Sequence, residues 1–368
     1  MPSPVVTSAR ARLARTALSA LAQRSEVVLT GRAASGIRAA LTVWGLAGRM
    51  VLLPANTCYI VLWAVLRAGC RPRLADVDAM TGCLSPATLD AATQDEAPAA
   101  IVPCHLYGLP APMAILSTWA RTHGSLLIED AALALGGMAD GRPAGSWGDA
   151  AVYSFGTGKI LDQGMGGALL TDDAPFAREV ERVLRRTPLW NADHAARAEQ
   201  WAGLYWTLHQ HEQANPRLSA LYPQLYAWYG DLTDHRVSDA RWGGLVAGVQ
   251  ALPAERDQHE AAAVRYDALL RRLRGAETLP RPPSTMLWRY PLLAQADQRD
   301  ALLAALWNAG QHAVTRWYPS LRVMTAALAP DVPQPPTPQA DHLATRIVNL
   351  PLDKPISAAA LRGAWRVR

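Results

Sequence analysis

Lysine is almost missing from this chain of 368 residues. Of its 36 basic side chains, two are lysine, Lys159 and Lys354, and the other 34 are arginine. A compositional bias of the genome is one interpretation of this replacement, and under it the lysines that remain are informative. Arginine stays protonated, whereas a lysine amine can lose its proton and act as a nucleophile. The sequence therefore directs attention to Lys159, which lies between two glycine-rich turns in AAVYSFGTGKILDQGMGGALLTDD, residues 150–173.

Cysteine is also scarce, and the four residues are irregularly spaced: Cys58, Cys70, Cys83 and Cys104. Because no CxxC pair occurs, we expect neither a disulfide framework nor a metal site, and we predict reduced thiols in a cytoplasmic protein. No apolar run has the length needed to cross a bilayer, so we expect no membrane association. The net charge of +5 comes from dispersed arginines. This pattern favours small acidic or phosphorylated ligands over nucleic acid as partners.

Short β-rich runs alternate with amphipathic segments from about residue 49 to 173. Runs such as RMVLLP, SLLIEDAA and GALLTDD are typical of buried strands, and TCYIVLWAVLRAG and PAPMAILSTWARTHG carry apolar residues at helical spacing. This alternation predicts an α/β fold with a mainly parallel sheet between helices. Ligands of such sheets bind at the carboxyl ends of the strands, so we expect the functional residues to follow the strands directly.

The chain is predicted to form two domains. Residues 1–245 would form an N-terminal arm and a large domain, and residues 246–368 a smaller α+β domain. The arginine-rich start of the chain predicts a surface helix, with organelle targeting as the alternative. A helical segment at about 175–235 is rich in Trp and Tyr, especially over 190–229. Such crowding indicates helix packing or a subunit interface more often than a ligand cage.

A reactive amine at Lys159 suggests a Schiff base with a carbonyl compound, above all with the aldehyde of pyridoxal phosphate. Such a site needs a carboxylate for the pyridine nitrogen, and Asp130 ends the strand SLLIEDAA. It also needs donors for the phosphate. Ser154 lies just before the lysine turn, and Gly31 and Arg32 lie where a helix is predicted to begin, a place that binds phosphate.

The order of these segments resembles the DegT/DnrJ/EryC1/StrS family, the pyridoxal-phosphate aminotransferases that act on sugars. The resemblance rests on LLPANT (52–57), AGCRPRLADVD (68–78), VPCHLYGLPAPM (102–113), IEDAA (128–132), GSWGDAAVYSFGTGK (145–159), RVSDARWGGLVAGVQAL (236–252), WYPSL (317–321) and RIVNLPLD (346–353). It implies an aspartate-aminotransferase-like fold (fold type I). In that fold a large domain with a seven-stranded, mainly parallel sheet between helices is followed by a smaller α+β domain.

The same resemblance implies roles for individual residues. Lys159 would form the Schiff base, Asp130 would pair with the pyridine nitrogen, and Ser154 would contact the cofactor phosphate. Arg236 matches an arginine that reaches across a dimer interface to the neighbour's cofactor phosphate. The resemblance therefore implies a homodimer with shared active sites.

The chain departs from the family on the ring side of the cofactor site. After EDAA, the family has Gln, which contacts the cofactor's phenolic oxygen, and then His two residues later. This chain has Leu133 and Leu135 instead. The aromatic residue that stacks on the ring after PANT is replaced by Cys58, with Tyr59 beside it as a candidate replacement.

Departures also occur on the phosphate side. The usual Ser-Gly-Thr of the phosphate-binding helix is Arg32-Ala33-Ala34, which removes a hydroxyl and introduces a guanidinium. The Asn two residues before the dimer-spanning arginine is Asp234, and the glycine-rich turn after the lysine is one residue shorter than usual. We interpret the chain as a divergent subfamily whose site is compensated, with loss of catalysis as the alternative.

These observations predict an aminotransferase that moves an amino group, through Lys159, from an amino acid donor such as glutamate to a keto sugar linked to a nucleotide. Tyr318, His105 and Tyr107 are candidate substrate contacts because they follow predicted strands or lie in family motifs. A catalytically inert or regulatory dimer and a relative acting on a non-sugar substrate are the alternatives. A dehydratase is disfavoured, because relatives of that kind replace the lysine with histidine.

Overall fold

Seven strands form the central sheet of the structure, a computed structural model that describes residues 8–93, 96–211, 215–229 and 232–365. In spatial order the strands are β1 (Glu26–Thr30), β9 (Gly167–Thr171), β8 (Ala150–Ser154), β5 (Leu126–Asp130), β4 (Ala100–Ile101), β2 (Met50–Pro54) and β3 (Arg71–Ala75). Strand β9 is antiparallel to β8 and β1, and the other pairs are parallel. The carboxyl ends of β1, β5 and β8 therefore meet at one edge of the sheet.

Helices cover both faces of this sheet because alternate strand residues point to opposite sides. Val152 of β8 packs on one face, and its neighbours Ala151 and Tyr153 pack on the other. The first face is covered by α2 (Ala33–Val43), α3 (Tyr59–Arg67) and α6 (Ala174–Leu184); the second is covered by α1 (Ala9–Ala22), α4 (Pro86–Ala92) and α5 (Met113–Thr122). This architecture confirms the predicted fold class.

A second, antiparallel sheet lies in the C-terminal part of the chain. Its strands are β10 (Glu277–Thr278), β11 (Tyr290–Leu293) and β12 (Ile347–Leu350). A separate hairpin is formed by β6 (Met138–Ala139) and β7 (Arg142–Pro143). The remaining helices are α7 (Ala192–His211), α8 (Tyr222–Tyr229), α9 (Leu245–Leu270), α10 (Arg299–Asn308), α11 (Arg322–Leu328), α12 (Pro338–Arg346) and α13 (Ala358–Trp365).

The long helix α9 contacts both parts of the chain. Leu252 packs in the core that covers one face of the large sheet, whereas the Tyr266 ring lies 5.1 Å from that of Tyr290 in β11. The two-domain division at residue 245 stays a prediction, since this helix belongs to both cores.

Aromatic residues of α7 and α8 pack inward. The Trp63 ring lies 5.2 Å from that of Trp201 and 4.9 Å from that of Tyr229, and the Tyr59 ring lies 4.3 Å from that of Tyr205. These five rings join the helical segment at 190–229 to helix α3. They are therefore used in helix packing within one chain.

We expect the substitution Gly31→Ala to destabilise the fold by at least about 2 kcal/mol. A Cβ at this position would lie 1.9 Å from the carbonyl oxygen of His235, which is fully buried. The backbone at residues 233–235 cannot move freely, because the Ser35 hydroxyl donates to the Thr233 carbonyl at 2.6 Å. Urea unfolding measures the effect. Gly203→Ala is the matched control, since no atom lies within 4 Å of its Cβ position, and equal stabilities of the two variants would contradict the prediction.

Candidate active site

A cavity of about 240 Å³ lies at the edge of the sheet where β1, β5 and β8 end. Eight of the residues predicted from the sequence line it: Arg32, Ala33, Cys58, Asp130, Leu133, Ser154, Lys159 and Tyr318. They come from five separate segments of the chain, and strand ends bring most of them together. The lysine and the carboxylate on which the prediction depends therefore share one cavity.

Lys159 lies in a turn that follows β8 and is held by Asp162. The two carboxylate oxygens of Asp162 accept hydrogen bonds of 2.7 Å from the backbone N–H groups of Gly158 and Gly164. Gly158 has a φ of +75°, a conformation that favours glycine. The half-buried Lys159 side chain makes no ion pair within the described residues. Its amine is therefore not held by a carboxylate and can react with a ligand in the cavity.

Asp130 is the last residue of β5 and is 3% exposed. Its Oδ1 accepts a hydrogen bond of 3.1 Å from the backbone N–H of Ala132. Burial raises the pKa of Asp130 above the usual value for Asp, while the Ala132 N–H and the Lys159 ammonium act in the opposite direction. A buried carboxylate is costly unless a cation or donor meets it. Asp130 is therefore suited to a protonated ring nitrogen in the same cavity.

The other polar groups of the cavity suit a phosphate. Arg32 is the N-cap of α2 without a side-chain capping bond, and its Nε is buried without a hydrogen-bond partner among the described residues. Ser154 ends β8, and its hydroxyl accepts from the Gly156 N–H at 3.5 Å. The first N–H groups of a helix have no partner inside the helix and attract anions. A cavity that combines these groups with Lys159 and Asp130 fits pyridoxal phosphate.

Leu133 and Cys58 make the ring side of the cavity less polar than in the resembled family. Both line the cavity, and burial raises the pKa of the Cys58 thiol, so the thiol stays protonated. Leu135 lies outside the cavity, in the core that also contains Ala134. Tyr59 does not line the cavity either, because its ring packs against α7. The structure thus does not support Tyr59 as a replacement for the stacking aromatic.

Asp234 forms ion pairs with two arginines of the same chain. Its oxygens lie 2.6 Å from Nε of Arg38 and 3.4 Å from Nε of Arg67. Arg236, two residues on, is exposed and donates from Nε to the Thr187 carbonyl at 2.9 Å. Gly31 lies against the backbone of residue 235 and does not line the cavity. The roles predicted for Gly31 and Arg236 at a cofactor phosphate stay predictions.

His105 is buried in the core and does not line the cavity. Its ring is fully buried, with Nε2 2.7 Å from a carboxylate oxygen of Glu129, and Nδ1 accepts from the Ala111 N–H at 2.9 Å. Because both ring nitrogens are used by the protein, the side chain has a structural role instead of the predicted contact with substrate. Glu129 also accepts from the Gly145 N–H at 2.7 Å. The His105–Glu129 pair thus connects the segments that contain Ala111 and Gly145.

Tyr107 is likewise buried and does not line the cavity. It is 2% exposed and has a φ of +59°. Because the buried phenol does not line the cavity, this placement does not support the direct substrate contact expected for Tyr107, which stays a prediction. Tyr318 itself lines the cavity, and burial raises its pKa well above the usual value, so its hydroxyl stays neutral.

Trp288 contacts the turn that carries Lys159. No sequence motif predicted it as a site residue. Its indole Nε1 donates to the Gly158 carbonyl at 2.5 Å, and its ring centroid lies 5.9 Å from the Lys159 Nζ. In the sequence it is the first residue of the strand-like run WRYPLLAQ. Nothing in that local pattern indicates a contact with a turn 130 residues earlier.

Comparison with known proteins supports the family resemblance. A sequence model of the DegT/DnrJ/EryC1/StrS aminotransferase family matches residues 10–362. The chain is 41% identical over 169 residues to L-glutamine:scyllo-inosose aminotransferase of Streptomyces griseus, a match that covers 44% of this chain and 39% of that protein. It is 38% identical over 148 residues to UDP-N-acetyl-3-dehydro-alpha-D-glucosamine 3-aminotransferase of Acidithiobacillus ferrooxidans, with 40% of each chain covered. The matched region thus spans about two fifths of these curated relatives.

Solved structures share the fold over nearly the whole chain. DesI, solved in the presence of its TDP-sugar product, matches with a TM-score of 0.75 and 25% identity, over 97% of this chain and 83% of DesI. NtdA of Bacillus subtilis, solved with bound cofactor PMP, matches with a TM-score of 0.73 and 17% identity, over 98% of this chain and 78% of NtdA. Together with the family match, these results confirm the predicted fold and the predicted cofactor, pyridoxal phosphate.

No helix in the described ranges is long and apolar enough to cross a membrane. No group of three or more His, Cys, Asp and Glu side chains in those ranges is arranged to hold a metal ion.

Proposed function

The chain belongs to the DegT/DnrJ/EryC1/StrS aminotransferase family, and on this premise we propose that it transfers an amino group from an amino acid to a keto sugar. The acceptor is a keto sugar linked to a nucleotide, which the names of the Acidithiobacillus relative and of the DesI complex support. The donor is glutamate, as predicted from the sequence, or glutamine, as in the name of the Streptomyces relative. The cavity that contains both Lys159 and Asp130 carries the proposal.

Lys159, Asp130, Arg32 and Ser154 would hold pyridoxal phosphate in this cavity. When bound, the cofactor supplies an aldehyde that reacts with amines and an electron-poor ring that stabilises a carbanion. The Asp130 carboxylate keeps a proton on the ring nitrogen, and its burial strengthens that interaction. Arg32 and Ser154 neutralise and orient the phosphate.

The Lys159 amine moves the proton during the transfer. Its Nζ takes the proton from the carbon that bears the donor's amino group and later delivers a proton to the carbon of the acceptor that becomes aminated. Positioned proton transfer of this kind contributes roughly 10²–10⁴-fold to the rate. The neighbouring thiols of Cys58 and Cys104 do not compete for this role, since burial raises the pKa of both and keeps them protonated.

Arg32→Ala is expected to weaken cofactor binding by roughly 10- to 100-fold, because a hydrogen bond to a charged group contributes about 1.5–3 kcal/mol. The buried Nε, which has no hydrogen-bond partner in the part of the chain that the structure describes, indicates that this guanidinium is available to an anion. Fluorescence titration of the apo protein with pyridoxal phosphate measures the change. Arg121→Ala removes an exposed arginine whose guanidinium bonds to Ser117 and Thr118 of α5, and it should leave the affinity unchanged. Equal affinities of the two variants would exclude Arg32 as a phosphate ligand.

The proposed function is tested by product analysis. The protein is loaded with pyridoxal phosphate, reduced with borohydride and digested, and we expect the cofactor adduct on Lys159 and none on Lys354. The loaded protein is then given glutamate or glutamine with a TDP- or UDP-linked keto sugar, or with scyllo-inosose, and products are identified by mass spectrometry. An aminated nucleotide sugar supports the proposal. Amination of scyllo-inosose alone would shift the acceptor to cyclitols, and an adduct without any aminated product would favour the inert or regulatory dimer.

We also propose a cytoplasmic homodimer with shared active sites. The exposed position of Arg236 is compatible with a contact to a neighbouring subunit. Asp234, which stands where the family has Asn, is paired with Arg38 and Arg67, so Arg236 is the candidate for a contact across the interface. Equilibrium sedimentation tests the dimer.

A further inference from the structure

Trp288 connects the C-terminal part of the chain to the turn that carries Lys159. Its indole N–H donates to the carbonyl of Gly158, the residue immediately before the lysine, at 2.5 Å. The same ring lies 5.9 Å from the Lys159 Nζ, within the range of a cation–π contact. One side chain thus contacts both the backbone and the amine of the lysine turn.

The position of Trp288 is fixed on its backbone side. Its backbone N–H donates to the Tyr107 carbonyl at 2.8 Å, and the left-handed conformation of Tyr107 aims that carbonyl at it. The next residue, Gly108, lies so close to residues 286–288 that a Cβ there would be 2.1 Å from the Met286 carbonyl oxygen. A larger residue at position 108 would therefore displace Trp288.

The indole is also held on its faces. The Tyr318 ring is nearly parallel to it, with an interplanar angle of 17° and 6.4 Å between centroids. The Arg289 guanidinium carbon lies 5.5 Å from the ring centroid. Because the backbone and the ring are both constrained, the N–H of Trp288 has a defined direction toward the lysine turn.

We propose that Trp288 is a positioning residue for Lys159. The peptide between Gly158 and Lys159 sets the direction in which the lysine side chain leaves the backbone, and the indole N–H holds the carbonyl of that peptide. The ring then restricts the amine to the cavity. The proposal rests on the proposed function for its consequence, because the amine must reach the reacting carbon accurately to move a proton.

The test measures lysine reactivity in the apo protein, where no catalysis is needed. Formaldehyde and cyanoborohydride methylate lysines, and mass spectrometry gives the rate at Lys159 relative to exposed Lys354 within the same molecule. We expect Trp288→Phe, which removes the N–H but keeps a ring, to raise this ratio roughly three- to tenfold, the equivalent of one hydrogen bond of about 1 kcal/mol. Trp288→His, which keeps a ring N–H, should restore part of the original ratio.

Trp307→Phe is the matched control. Its indole also donates to a backbone carbonyl, that of Val314 at 2.9 Å, and it lies on α10. This variant should leave the ratio unchanged. An equal Lys159-to-Lys354 methylation ratio in Trp288→Phe and Trp307→Phe would overturn the proposal. A loss of reactivity at both lysines in Trp288→Phe, without recovery in Trp288→His, would overturn it too.

Kinetics with the loaded enzyme separate this proposal from the proposed function. We expect Trp288→Phe to lower kcat about tenfold with little change in KM, since misplacement of a reacting group affects the chemical step. If the methylation ratio changes but the wild-type protein forms no cofactor adduct, the proposed function fails and the positioning role stands. If the adduct and the aminated product form equally in the wild type and in all Trp288 variants, the positioning role fails and the function stands.

Discussion

Replacing Lys159 with arginine is expected to abolish amino transfer, with a loss of at least roughly 10²–10⁴-fold. The substitution keeps the positive charge and the approximate length of the side chain. It removes the property on which the proposed function depends, an amine that can lose its proton and bond to an aldehyde. Steady-state assays measure the loss of amino transfer. Borohydride reduction followed by peptide mass spectrometry measures the loss of the cofactor adduct.

The chain provides its own control for this experiment. Lys354 is the only other lysine, and it is exposed in the loop before α13. Lys354→Arg should leave both the activity and the adduct on Lys159 intact. Activity retained within a few-fold by Lys159→Arg would show that the chain uses no covalent amine, and the function proposed for it would have to be withdrawn.

Asp130→Asn is expected to lower kcat/KM by on the order of 10²-fold or more, because removal of one well-placed electrostatic group from a buried site has an effect of this size. The substitution preserves shape, and the Asn side-chain oxygen can still accept from the Ala132 N–H. It removes the negative charge that a protonated ring nitrogen requires. Asp297→Asn, which neutralises an exposed residue, should leave kcat/KM unchanged.

We expect Asp130→Asn to leave the apo protein at least as stable as the wild type, although it lowers kcat/KM. Burial raises the pKa of Asp130 in the folded state, so the native chain binds this proton more tightly than the unfolded chain does. The contribution of Asp130 to the free energy of unfolding therefore falls as pH rises from its pKa in the unfolded chain to its pKa in the folded chain. At neutral pH the ionised, buried carboxylate still has this cost in stability. Asp130→Asn removes this cost.

A thermal scan of apo protein at neutral pH should therefore show an equal or higher Tm for Asp130→Asn than for the wild type. Such a combination of lost activity and retained or increased stability is typical of residues selected for function. A variant that loses Tm along with activity would indicate that Asp130 mainly supports the fold.

Much of the candidate site follows from local sequence. In a parallel sheet, strand ends meet at one edge, so buried runs such as SLLIEDAA and DAAVYSFG place Asp130 and Ser154 together once the runs are recognised as strands. The scarcity of lysine distinguishes Lys159, since the chemistry of a free amine cannot be supplied by the arginines around it. These predictions depend on period and residue type, which are local properties.

The remaining features of the site depend on contacts between distant segments. His105 follows a strand, as predicted, yet it points into the core because its Nε2 pairs there with the Glu129 carboxylate and its Nδ1 accepts from the Ala111 N–H. Tyr59 directly follows the cavity residue Cys58 in the sequence, but its ring packs against Tyr205, a residue 146 positions later in a separate helix. No periodicity in the neighbourhood of either residue carries this information.

The amino-acid sequence by itself determined the α/β architecture, the family and the proximity of Lys159 to Asp130, because hydrophobic period and residue chemistry are properties of short segments. The tertiary structure decided which side chains surround them. The antiparallel insertion of β9 between β1 and β8 brings Arg32 to the cavity, and the packing of the C-terminal part brings Trp288 to the lysine turn. Contacts of this kind are set by the shape and charge of surfaces that exist only after the chain has folded.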